Sequence, residues 1–124
     1  MQTEAAILVE LNAPLQLISL DIPPLKSGQV LIKVAYSGIC HTQINEIDGL
    51  KGKDPYLPHT LGHEGSGEVV EVGSGVSDFK PGEPVVFQFA ASCGRCIRCL
   101  EGRPQICETH AIARAKGELM GGGS

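Results

Sequence analysis

Residues 93–107, CGRCIRCLEGRPQIC, place Cys93, Cys96, Cys99 and Cys107 within fifteen positions, spaced C-x2-C-x2-C-x7-C. Gaps of two residues let a tight turn aim both flanking sulfurs at one point. A tetrahedral zinc needs four such sulfurs at about 2.3 Å. Gly94, Gly102 and Pro104 let the backbone wrap. Arg95, Arg98 and Arg103 stand between the ligands, where their guanidinium groups, with backbone N–H donors, would offset the dianionic charge of a Zn–S4 centre. Ile97, Leu100 and Ile106 are too few to build a core, so ligation is the expected source of order. A zinc with all four positions filled by protein has no vacant place for substrate and is structural. Three alternatives stand beside this reading: four unrelated thiols, two disulfides, or an iron–sulfur cluster. Disulfides are rare in a reducing compartment. The bacterial cluster run is C-x2-C-x2-C-x3-C-P. Here Cys107 falls four residues too late, and Glu108, not proline, follows it.

The fifth cysteine, Cys40, opens the stretch CHTQIN, and His63 and Glu64 follow 23 and 24 positions later in LGHEGSGEVVEVGSGV (61–76). A thiolate, an imidazole and a carboxylate are all good zinc ligands, and three protein ligands plus water make an open, catalytic type of site. By spacing alone the signal is weak. A lone cysteine is usually a small buried apolar group, and a His-Glu pair in a glycine-rich stretch is usually a turn.

The elements that must position these residues are short. The 124 residues contain 16 Gly and 8 Pro, punctuation that suits strands joined by turns. Strands are expected over 3–11, 15–23, 29–38, 67–76 and 83–91. In the third, Lys33 is the one charge, so most of that strand is expected to be buried. In the fourth, Val70 and Val72 share a face opposite Glu71. Only Cys40–Gly49 has a helical rhythm, with Ile44 and Ile47 three apart and Gly49 as the stop. The expected fold is mostly β (α+β), a partly closed barrel with one or two short helices and a loop lobe over about 92–112, in one domain of 1–124. With 42% hydrophobic residues but 4% aromatics and no Trp, its core must be Val, Ile, Leu and Ala. A net charge of −4 and no Lys/Arg block argue against nucleic acid. No apolar run approaches the ~20 residues of a membrane span, and the acidic N-terminus is unlike a signal peptide. A cytoplasmic location is expected.

GHEGSGEVVEVGSGV followed by FKPGEPVV (79–86) resembles the zinc signature of the medium-chain, zinc-dependent alcohol dehydrogenases, and GICHTQ resembles their strand-end motif. The four-cysteine loop follows at that family's spacing for a structural zinc. Three motifs in register along the whole chain make the resemblance specific. It implies a GroES-like barrel as the catalytic domain, with Cys40 and His63 as catalytic zinc ligands. Glu64 would be the acid able to approach or replace the zinc-bound water. Thr42 would be the hydroxyl that takes the alcohol proton, and His41 a contact to the pyrophosphate of NAD or NADP. The substrate implied is a small alcohol or aldehyde. Two positions depart from the pattern: Gln43 stands where a carboxylate commonly orients the ligand histidine, and Asn45 where some members carry the relay's last histidine.

A dehydrogenase of this kind also needs a Rossmann domain with G-x-G-x-x-G after a strand. GSGEVV (65–70) has Val70 in the third glycine's place, and GSGVSD (73–78) has Asp78. The expectation is therefore a catalytic-domain portion, inactive by itself, with the end GELMGGGS marking a chain cut before the family's next strand. An oligomer would form mainly through the missing domain. The alternative function is a non-enzymatic, zinc-stabilised β-barrel interaction module. Phe87, Phe89, Tyr56 and Leu57 are the apolar candidates for a substrate wall, or plain core.

Overall fold

In the computed structural model, residues 1–116 are described; the GELMGGGS end lies outside the described residues. The chain divides into two compact units, one of Met1–Phe87 and one beginning at Gln88.

The first unit holds two antiparallel three-stranded sheets. In one, β1 (Gln2–Leu8) lies between β2 (Gln16–Asp21) and β4 (His59–Thr60). In the other, β5 (Gly65–Val72) lies between β3 (Val30–Ser37) and β6 (Pro84–Val86). The mostly-β expectation with short helices holds. The strands form two sheets, and no closed barrel forms among the described residues. Every expected strand is found and each ends earlier than expected, while β1 and β5 begin one and two residues sooner, at Gln2 and Gly65. The fifth stops at Val86 rather than continuing to Ala91: Phe87 adds one further bond, its N–H to the Gly65 carbonyl at 2.7 Å, and the sequence then leaves the ladder.

One burial expectation is corrected. From Lys33 to Ser37 β3 is exposed, Tyr36 at 78%: pairing with β5 occupies the strand's backbone edge, while its side chains there are left uncovered among the described residues. On β5 the buried residue is Val69, opposite Ile32, whereas Val70 is exposed. The register slips between Leu31 and Ile32, so strict alternation does not carry through this pair. The unit's core is Ile7, Leu8 and Val69. Tyr56, Phe87 and Phe89 are exposed and Leu57 half-buried, so none is plain core.

The one expected helix is α1 (His41–Ile47), with Cys40 as its N-cap. Gly49 ends it in the left-handed region at φ +66°, donating its N–H to Glu46 while Leu50 donates to Asn45. This paired closure satisfies the last-turn carbonyls and requires a residue without Cβ strain.

Pairing of β3 with β5 depends on Gly67. A Cβ there would lie 2.2 Å from the Lys33 carbonyl oxygen and 2.9 Å from Ile32 Cγ2. Gly67→Ala is therefore expected to cost about 1–3 kcal/mol, the range of an overpacked interior site, read as a lower denaturation midpoint. An unchanged midpoint would show that the strands approach less closely.

The second unit contains α2 (Ile97–Leu100), a 3-10 turn (Pro104–Ile106) and α3 (Glu108–Ala115). The region expected as a loop thus contains helices. Proline at the start of the 3-10 turn and Cys107 as the cap of α3 set their entries.

Candidate metal centres

The lobe brings Cys93, Cys96, Cys99 and Cys107 together, one sulfur from each lying within 4.8 Å of all the others. Cys93 precedes the Gly94 turn, Cys96 caps α2, Cys99 lies inside it, and Cys107 caps α3. The Cys96–Cys99 sulfurs are 3.5 Å apart and the Cys96–Cys107 sulfurs 3.9 Å. Sulfurs at about 2.3 Å around a tetrahedral zinc would be about 3.8 Å apart, and a disulfide requires about 2.05 Å. All five cysteines are free thiols. The quartet fits one structural zinc.

Backbone N–H groups supply much of the charge compensation. Cys96 N–H donates to Cys93 Sγ at 3.3 Å; Cys93 N–H and His110 N–H donate to Cys107 Sγ, each at 3.4 Å. The Arg98 guanidinium meets Glu101 and Glu108, each at 3.3 Å. Glu101, the C-cap of α2, and Glu108, the first residue of α3, supply the two carboxylates. Without metal, the thiols are uneven. The Thr109 hydroxyl, with the Arg95 and Cys96 N–H groups, lowers Cys93 to about 6. Burial, aided by the Cys96 hydrogen bond, raises Cys99 to about 11. Zinc uptake must displace the Cys99 proton, so uptake strengthens as pH rises.

A second cluster forms in the first unit, with a ligand atom each of Cys40, His63 and Glu64 within 4.8 Å of one another. The β3–β5 ladder places it. Ser37 pairs with Gly65, and the Gly38 N–H donates to the Glu64 carbonyl at 2.9 Å, so the ends of both strands lie side by side. Cys40 then opens α1, and His63–Glu64 lead into β5. A Cβ on Gly38 would fall 2.3 Å from Glu64 Oε2, so glycine is what lets the carboxylate lie here. Gly65 has a similar part, its missing Cβ leaving room for the Phe87 ring. Cys40 and His63 are half-buried and Glu64 is exposed. His63 Nε2 stands 3.9 Å from Glu64 Oε1, too far for a hydrogen bond. Thr42 Oγ1 contacts Cys40 Sγ at 2.7 Å. His41 is the exposed first residue of α1. The Gln43 side-chain oxygen accepts the Cys40 backbone N–H at 2.6 Å, tying the ligand's own backbone to the helix.

A family model described as the alcohol dehydrogenase GroES-like domain matches residues 26–124. The chain belongs to this family. It is 38% identical over 126 residues to an S-(hydroxymethyl)glutathione dehydrogenase of Synechocystis, covering 100% of this chain and 33% of that protein. Among solved structures, a cobalt- and zinc-bound thermostable alcohol dehydrogenase from Pyrobaculum aerophilum matches with a TM-score of 0.78 at 34% identity, over 89% of this chain and 33% of that one. The alcohol dehydrogenase of Aeropyrum pernix matches with a TM-score of 0.76 at 37% identity, over 86% and 32%. The chain thus spans about a third of the length of the relatives it matches. As a GroES-like domain of this family, it places at its two clusters the same cysteines and histidine that the sequence motifs singled out.

Sequence reasoning missed α3 and, with it, Thr109, whose hydroxyl lies 3.3 Å from Cys93 Sγ. The signal was present: Glu108 in the first turn and Arg114 in the last suit the helix dipole. Gly38 was also missed, because its role depends on a neighbour 26 residues away.

Proposed function

We propose that this chain is the catalytic-domain portion of a zinc-dependent alcohol dehydrogenase, its two units together holding a catalytic and a structural zinc. The observation that carries the reading is the convergence of Cys40, His63 and Glu64 beside the Thr42 hydroxyl, in a chain with a separate four-cysteine set. Zinc bound there would supply Lewis acidity, lowering the pKa of an alcohol oxygen so that hydride can leave toward NAD or NADP.

The chain's residues would divide the remaining work. Cys40 and His63 would hold the metal, and Glu64, whose carboxylate lies within 4.8 Å of both ligand atoms, would be the acid beside it. The Thr42 hydroxyl accepts the substrate proton and, having no basicity of its own, passes it on. Asn45 cannot end that relay as a base, so the proton leaves by another route. His41, exposed at the head of α1, meets the cofactor phosphates. The substrate class is a small alcohol or aldehyde. Free cysteines at both clusters suit a reducing, cytoplasmic setting, and among the described residues no helix is long and apolar enough to cross a membrane.

Gly65 and Gly67, the nearest approach to a nucleotide fingerprint, lie inside the paired strand β5 rather than in a turn opening a helix. The 124 residues alone are accordingly expected to give no sustained alcohol oxidation with added NAD. Elemental analysis tests the metal reading: about two zincs per chain are expected, and about one after Cys40→Ala. One zinc in the unaltered chain would overturn the catalytic site as drawn, and sustained turnover would overturn the need for a further domain.

A further inference from the structure

Four sulfurs complete the lobe's ligand set, yet one further side chain reaches it. Thr109 Oγ1 lies 3.3 Å from Cys93 Sγ, the sulfur that also accepts the Cys96 N–H at 3.3 Å. The arrangement is built by α3. Cys107 caps this helix with its sulfur accepting the His110 N–H, so the first turn is wound onto one ligand while Thr109 turns toward another, sixteen residues earlier. No residue of α3 is buried. In its first turn Glu108 also meets Arg98, at 3.3 Å.

A thiolate that accepts O–H and N–H donors spreads its charge and is less readily protonated or attacked. We infer that Thr109 is a positioning residue of the structural metal centre: its hydroxyl donates to the Cys93 ligand sulfur and slows loss of the metal. The inference rests on the reading of the lobe as a zinc site.

Cobalt(II) is the probe, loaded into the whole 124-residue chain in a Cys40→Ala background, where the four cysteines remain the one complete ligand set among the described residues. Thr109→Val keeps the side chain's shape and removes the donor. It is expected to move the sulfur-to-cobalt charge-transfer band to lower energy and to speed transfer of the metal to a chromophoric chelator by about 10–100-fold, the range for outer-shell partners. Thr109→Ser is expected to restore both. An unchanged band and rate in Thr109→Val would overturn the inference. So would faster release with an unmoved band, which would mark a packing effect, or a serine variant that behaves like valine. If the valine variant takes up no cobalt, the serine variant decides: normal loading supports the hydroxyl's role, and failed loading overturns it. No cobalt uptake by the Cys40→Ala parent would instead sink the zinc reading of the lobe itself.

Discussion

Cys107→Ala is expected to remove one zinc per chain and to unfold the second unit. Of the buried apolar residues Ile7, Leu8, Val69 and Cys107, only the last belongs to that unit, at 2% exposure. Ile97, Leu100 and Ile106 are exposed. Among the described residues the unit therefore has almost no apolar burial with which to oppose the entropy of ordering its backbone. Metal ligation can: structural zinc contributes about 10–16 kcal/mol to folding in zinc-finger peptides. Cys107 also caps α3, but a cap is worth only about 1 kcal/mol. Cys107→Ser separates the two effects, since serine is a good N-cap and a poor substitute for a thiolate on zinc. Both variants should lose hydrogen-exchange protection at the amides of α2 and α3 while the β3–β5 ladder keeps its own. If Cys107→Ser retains the protected helices without zinc, capping orders the lobe and the metal does not.

What could be read from the sequence follows the range of the interactions involved. Cys93, Cys96 and Cys99 are close along the chain, their geometry is set by local turns at Gly94 and α2, and their purpose was legible from spacing alone. Helix α1 was legible for the same reason, with Gly49 as its stop. Cys40 and His63 were not: β3 and β5 must pair before they meet, and only the resemblance of three motifs in register singled them out. Burial was the least legible property. Lys33 in an apolar run suggested a covered strand, but whether a strand is covered depends on what lies over it. At the β3 edge, Val34 and Tyr36 remain exposed among the described residues. The Gly38–Glu64 approach and the Thr109–Cys93 hydrogen bond belong to the same group. Each joins residues distant in sequence through a contact of a few ångströms, and neither residue type announces it.

In the longer dehydrogenase proposed here, Cys40→Ala is expected to lower kcat/KM by at least about a thousandfold while leaving the lobe's protection intact. Lewis-acid stabilisation by a bound metal is worth several kcal/mol, and each 1.36 kcal/mol is a factor of ten. Loss of a ligand from a three-residue set should forfeit most of that, with zinc content falling from about two per chain to about one. Thr42→Val tests the neighbouring role separately. It should keep both zincs yet lose about 10²–10⁴ in rate, the usual contribution of positioned proton transfer, with Thr42→Ser recovering much of the loss. The two variants thus differ in metal content though both impair turnover. Should Cys40→Ala retain full activity and both zincs, Cys40 would be only a small half-buried residue capping α1, and the catalytic reading of the Cys40–His63–Glu64 cluster would fall.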